Sequence, residues 1–96
     1  MNQNLQNVIN VTFKTTQGVS IVIPTRANIQ VNALLRVFMI RMGVENKLFD
    51  EDIVFIHNAK RIDKHDTKEI NHPDIGIQAG SFIMVNDLNN KITGHI

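Results

Sequence analysis

Histidines are the side chains of this sequence best suited to metal binding or proton transfer, and their spacing favours neither role. His57, His65, His72 and His95 lie in turn-like or terminal segments at irregular intervals, and the chain contains no cysteine. A structural zinc site needs imidazole and thiolate ligands that converge on one ion. We therefore interpret the histidines as solvated turn residues, and we expect no metal and no other cofactor.

Serines, acidic residues and glycines do not form a catalytic pattern either. Ser20 and Ser81 fall inside predicted strands, without the strand-to-helix turn or the histidine and acid pairing that activates a serine nucleophile. The acidic run at 50–52 lacks the alternating oxygen ligands and the central glycine of a calcium loop. Gly76 and Gly80 precede a strand, whereas a phosphate-binding loop precedes a helix. The sequence predicts a protein that is not an enzyme and takes no small-molecule substrate.

Length and composition describe one small domain. The chain has 96 residues, of which 43% are hydrophobic and 20% charged, which suits one core and argues against disorder. The absence of cysteine and of a secretory signal favours an intracellular, cytoplasmic or nuclear protein. The longest apolar-rich stretch, 31–42, is interrupted by polar residues and is too short to cross a bilayer. A net charge of +1 gives no drive toward nucleic acid, so we expect neither membranes nor nucleic acids as partners.

The order of apolar patterns predicts a hairpin, a helix and further strands. Alternation over 8–16 and a β-branched run over 19–23 predict a hairpin that ends at Pro24. Cap-type residues over 25–28 then precede a helix that Gly43 ends. Helical spacing gives that helix one core face, formed by Val31, Leu34, Leu35, Phe38 and Met42.

After the helix, short strands are predicted over 53–56, 60–62 and 81–86, with an irregular stretch before the last. We expect three parts in the chain: a flexible arm over 1–7, one domain over 8–88, and a flexible tail over 89–96.

These segments, in this order, resemble the ubiquitin-like family. Residues 8–15 resemble its first strand, Met42-Gly43-Val44 its helix end, 53–63 its third strand with the following turn, and 76–85 the approach to its last strand. The pattern departs from the family's in a longer loop after the helix and an additional residue in the turn at 57–59. The resemblance implies an α+β fold, the ubiquitin-like β-grasp, with a mixed four- to five-stranded sheet and one covering helix. It also implies binding to proteins, among them those of the ubiquitin pathway.

Strand parity predicts the side chains that contact a partner. If Val54, Ile56, Phe82 and Met84 face the core, their neighbours form an exposed apolar patch on the sheet. The predicted partner-binding residues are Phe55, Ile83, Val85, Lys14 and Lys60. A slip of one residue exchanges the two faces, so the opposite parity remains open. A second candidate interface is the back of the helix, with Val37 and Ile40.

Two other functions also remain open. Conjugated members of the family end in a diglycine, which this chain lacks, whereas one subfamily of modifiers uses a single glycine. Residues 93–96 resemble the end of that subfamily, in which Gly94 would be conjugated after removal of His95 and Ile96. The other alternative is a small-GTPase-binding β-grasp domain, in which the strand 19–23 pairs edge to edge with its partner.

Overall fold

The structure, a computed structural model, describes residues 8–92. Its strands are β1 (Val8–Thr15), β2 (Ser20–Arg26), β3 (Ile53–His57), β4 (Lys60–Arg61) and β5 (Phe82–Asp87). The helix α1 (Val31–Arg41) lies between β2 and β3 in the chain, and a short 3-10 helix, Glu45–Lys47, follows it. Within these residues, no helix is long and apolar enough to cross a membrane.

The strands form one mixed sheet in the order β2-β1-β5-β3-β4. β1 and β5 are parallel, and the other neighbouring strands are antiparallel. After the hairpin, the chain crosses one face of the sheet through α1 and forms β3 and β4 on the far side. It then returns to place β5 at the centre, between β1 and β3. This arrangement confirms the predicted α+β class, with a mixed sheet and one covering helix.

The core lies between α1 and the sheet, and three phenylalanines form its centre. The rings of Phe13 and Phe38 stack with centroids 4.4 Å apart, and Phe55 meets both of them edge-on. The predicted core face of α1 is confirmed at its first four positions, whereas Met39 is buried in place of Met42, which is only partly buried. Met42 lies at the helix cap, where the chain turns away from the sheet.

The predicted parity of β3 and β5 is wrong by one residue. Phe55, Ile83 and Val85 have no exposed surface, and Phe55 lies opposite Val85 on the core side of the sheet. These three side chains therefore cannot form a partner-binding patch in the folded domain. The error arises because both strands carry apolar residues at successive positions, so that alternation alone does not identify the core face.

The strand β2 continues through Pro24, which was expected to end it. Pro24 lies opposite Asn10, whose carbonyl accepts a hydrogen bond from Gly80 on the other side of β1. Asn10 and Pro24 therefore form a non-hydrogen-bonded pair of β1 and β2. The Pro24 nitrogen, which carries no hydrogen, faces the open edge of the sheet. The helix also begins differently, because its N-cap is Gln30 and no side chain caps it.

The packed part of the chain extends beyond the predicted boundary at Leu88. The side chain of Ile92 is fully buried and belongs to the core cluster. Residues 89–92 are therefore part of the domain. The expected arm 1–7 and residues 93–96, with Gly94, lie outside the described residues.

Candidate functional site

The sheet face opposite α1 exposes a group of apolar side chains. Phe82 is 54% exposed, Val22 49% and Met84 42%, which are large fractions for side chains of this size. Val54 and Ile56 lie on the same face and are half-buried. We call these five residues the sheet-face patch.

The register of the strands brings the patch together around Met84. Met84 in β5 lies beside Lys14 of β1 and Ile56 of β3, and Ile56 lies opposite Arg61 of β4. A second row places Phe82 beside Thr12, which lies opposite Val22. Paired residues of neighbouring strands share a face with Cβ atoms about 5 Å apart, so the patch is nearly continuous across the sheet.

The charges that the strands bring to this face of the sheet are positive. The Nζ atom of Lys14 lies 4.5 Å from the centroid of the Phe82 ring, within the range of a cation–π interaction. Lys14, Arg26 and Arg61 share this face, and the strands contribute no aspartate or glutamate to it. Within residues 8–92 none of these three cations has an ion-pair partner. The surface therefore combines an apolar centre with cations that are free to pair with a partner's carboxylates.

Of the two lysines predicted for this surface, one lies on it. Lys14 shares the face with Met84, whereas Lys60 lies opposite His57, a residue of core-facing parity. Lys60 is exposed at the end of the sheet, but Arg61 takes the predicted place beside the patch. Lys60 and Arg61 are adjacent in β4, so their side chains lie on opposite faces of the sheet.

The back of α1 is exposed on the other side of the domain. Ile40 is 53% exposed and Val37 37%. Arg36 on the same helix forms an ion pair of 3.2 Å with Glu45. The helix back is a smaller apolar surface than the sheet-face patch, and its charge is partly neutralised.

The sequence pattern identifies the members of the sheet-face patch as apolar, but it does not place them on the exposed face. The outward position of Val22 could have been predicted from the hairpin register. Ile23 pairs with the core residue Val11, so the side chain of Val22 lies on the opposite face. For β3 and β5 the useful signal was the phenylalanine content. Once Phe13 and Phe38 are assigned to the core, a third ring from β3 completes an aromatic cluster.

Outside the patch, the titratable groups of residues 8–92 give no sign of a reaction centre. Burial lowers the pKa of His57, so its imidazole is neutral near pH 7. A groove of about 430 Å³ beside β4 is lined by Lys60, Arg61 and Lys68 and also by Asp63, Asp66 and Asp74. Its rim carries equal numbers of both charges, which gives no preference for a charged ligand. Among residues 8–92 no group of three histidine or acidic side chains is arranged to hold a metal ion.

Comparisons with known proteins place this architecture among ubiquitin-like domains. No family model matches the sequence, and no curated protein matches it. The ubiquitin-like domain of Plasmodium falciparum Dsk2 superposes with a TM-score of 0.64 at 22% identity, covering 81% of this chain and 95% of that one.

Two further solved structures agree. The ubiquitin-like domain of yeast Ddi1 has a TM-score of 0.69 at 13% identity, over 83% of this chain and 88% of that one. A ubiquitin-like domain from Arabidopsis thaliana has a TM-score of 0.67 at 19% identity, over 88% of this chain and 83% of that one. At these identities the likeness concerns the fold.

Proposed function

We propose that this chain, which has the ubiquitin-like β-grasp fold, acts as a non-enzymatic protein-docking domain, and that the sheet-face patch is its contact surface. The observation that carries the proposal is the exposure of Val22, Phe82 and Met84 on one face of the sheet. Exposed apolar patches rimmed by polar residues mark interaction sites in soluble proteins. The proposal keeps the predicted function and the predicted face of the sheet, but replaces the buried residues with their neighbours.

The geometry of the patch suits a central anchor contact. Met84 lies in the middle of the sheet, with Ile56 and Lys14 beside it and the Phe82 ring two residues away on the same strand. Interface energy is concentrated in central residues that lose contact with water, and methionine adapts its shape to different partners. Met84 and Phe82 are therefore the expected anchors.

The charges define the chemistry of the partner. A segment with several apolar side chains flanked by aspartate or glutamate would cover the patch and place carboxylates near Lys14 and Arg61. Pairs of this kind at a rim raise the association rate and make it sensitive to salt. We infer that the partner is a protein with an apolar, acidic docking segment, and proteins of the ubiquitin pathway are the first group to examine.

Two matched substitutions test this proposal. Met84→Asp places a carboxylate in the patch, and Ile40→Asp places one on the helix back, at a position that is 53% exposed against 42% for Met84. Partners captured from the native cell lysate are quantified by mass spectrometry for both variants and the unchanged chain. We expect the amount of captured partner to fall at least about tenfold for Met84→Asp, since central contacts contribute about 2 kcal/mol or more. Ile40→Asp is expected to retain them.

The opposite outcome would assign docking to the helix back, with Val37 and Ile40. Thermal melts of both variants establish that a loss of capture is not a loss of fold. A third variant, Lys14→Glu, addresses the partner's charge, because it reverses one cation and removes the cation–π contact. Its capture is expected to fall most at low salt.

Edge pairing with a small GTPase has less support in this geometry. β2 forms one edge of the sheet, as that function requires. However, Pro24 lies on the open side of β2 and has no N–H, so a partner strand would lose a ladder bond in the middle of the contact. The sheet-face patch does not have this defect.

Nucleic acid is the other class of partner with an affinity for cations. The cations of the sheet face surround apolar side chains, whereas a nucleic-acid surface presents clustered basic groups to successive phosphates. We propose that duplex DNA is not a ligand. Binding to a generic duplex tighter than about 10 μM at physiological salt would contradict this part of the proposal.

A further inference from the structure

A buried carboxylate holds the chain after the last strand against the domain. Asp87, at the end of β5, is 1% exposed. Its Oδ1 accepts a hydrogen bond from the backbone N–H of Lys91, and its Oδ2 accepts one from that of Ile92, both at 2.7 Å. The chain consequently turns back at 88–91, and the side chain of Ile92 enters the core.

A second set of contacts fixes the same turn from the loop before β3. The Nζ atom of Lys91 lies 3.1 Å from Asp50 Oδ2 and 2.9 Å from Asp52 Oδ2. Asn89 donates a hydrogen bond of 2.6 Å to Asp52, and the backbone N–H of Leu88 donates one of 3.1 Å to its carbonyl. Hydrogen bonds to Asp52 and Asp50 raise the pKa of Lys91, so its ammonium stays charged.

We propose that residues 88–92 form a clasp that withholds the residues next to it from enzymes that must thread an extended segment. The clasp consists of the Asp87 carboxylate, the buried Ile92 side chain and the Lys91 ammonium between Asp50 and Asp52. It does not depend on the sheet-face patch, since Asp87 and Ile92 lie on the core side of the sheet. The docking function and the clasp are therefore independent of each other.

The clasp bears directly on the alternative use of Gly94 for conjugation. Only Thr93 separates Gly94 from the buried Ile92, and two residues span at most about 7 Å. An enzyme that draws an extended chain end into a channel needs a longer free segment than this. Any processing at Gly94 thus requires the clasp to open first, and opening exposes Ile92 and breaks both hydrogen bonds to Asp87.

Digestion of the 96-residue chain with a broad-specificity carboxypeptidase tests the clasp, because this enzyme threads chain ends. Intact mass spectrometry follows the products over time. The unchanged chain is expected to stall before Ile92, because the segment left after Ile92 becomes too short to thread. Asp87→Asn leaves residues 88–96 unaltered and is expected to pass Ile92 at least about tenfold faster, as loss of hydrogen bonds to a charged group implies.

The double variant Asp50→Asn with Asp52→Asn covers the case in which Asp87→Asn does not fold. Both positions lie in a surface loop, and the pair removes the partners of Lys91 without changing the digested residues. Glu51→Gln is the matched control, since it removes an exposed carboxylate from the same loop. The clasp is supported if the double variant passes Ile92 faster than the unchanged chain while Glu51→Gln stalls as the unchanged chain does. It is overturned if the unchanged chain is digested past Ile92 without a pause, or if the folded Asp87→Asn protein and the folded double variant stall as firmly as it does.

Discussion

Phe13 of β1 and Phe38 of α1 stack face to face, with ring centroids 4.4 Å apart and an angle of 10° between their planes. The contact joins the first strand to the covering helix across the core. Because Phe55 of β3 packs edge-on against both rings, the three elements depend on one aromatic cluster. A substitution in this cluster affects the whole domain, whereas one on the sheet-face patch does not.

The first prediction concerns Phe38, which is fully buried. Phe38→Ala is expected to lower the free energy of unfolding by about 3 to 5 kcal/mol, because it removes a large side chain and leaves a cavity. Chemical denaturation measures the loss. The control is Phe49→Ala, at a position that is 49% exposed, with an expected loss of about 1 kcal/mol or less. A loss below about 1 kcal/mol for Phe38→Ala would contradict the placement of α1.

The prediction that the helix covers the sheet follows from sequence because its signal is strong and local. Val31, Leu34, Leu35 and Phe38 repeat at helical spacing, and the structure buries them all. The alternation of Val11 and Phe13 likewise identifies the core face of β1. In β1 polar residues separate the apolar positions, and on α1 the four positions share one face at helical spacing, so in both elements the core face is identified by its period.

The parity of β3 and β5 does not follow from sequence, for a different reason. The correct parity places His57 and Asp87 on the core side, which a hydrophobic pattern disfavours. The structure tolerates both: His57 has a lowered pKa that keeps it neutral, and Asp87 accepts backbone hydrogen bonds from Lys91 and Ile92. These compensating contacts come from the fold, so the hydrophobic pattern alone did not identify the exposed face of β3 and β5.

The second prediction contrasts two neighbouring residues of β5. Ile83→Asp puts an unpaired carboxylate into the core and is expected to unfold the domain, at a cost of several kcal/mol. Met84→Asp puts the same group on the solvent side and is expected to keep the fold, with a change of about 1 kcal/mol or less. Circular dichroism melts compare the two variants. A folded Ile83→Asp protein would show that the parity described for β5 is incorrect.

The third prediction concerns pH. Burial lowers the pKa of His57 below its ordinary value of 6.5, so between the two values the unfolded chain binds more protons than the folded domain. Stability is therefore fully present above about pH 6.5 and is lost as the pH falls below it. His57→Gln removes this contribution, and its stability is expected to fall less than that of the unchanged chain between about pH 7.5 and pH 5.5. Equal losses in both proteins would contradict the assignment to His57.

The fourth prediction concerns the turn between β3 and β4. Asn58 and Ala59 both have positive φ, of 52° and 64°, and asparagine tolerates this conformation better than alanine does. Ala59→Gly relieves the strain at a position that hairpins of this type usually give to glycine. It is expected to raise the free energy of unfolding by about 0.5 to 1 kcal/mol, after allowance for the greater freedom of the unfolded chain. Urea denaturation of the variant checks the sign, and a loss of stability would contradict the turn geometry.

Docking at the sheet-face patch can be tested by NMR mapping with the docking segment of a captured partner. Unlabelled segment is titrated into the ¹⁵N-labelled chain, and shifted amides are placed on the structure. The largest shifts are expected at Lys14, Ile56, Phe82 and Met84, and they are expected to weaken as salt is raised, because the cations around the patch pair with the partner's carboxylates. Shifts confined to the exposed side of α1, around Val37 and Ile40, with the strands unaffected, would contradict it.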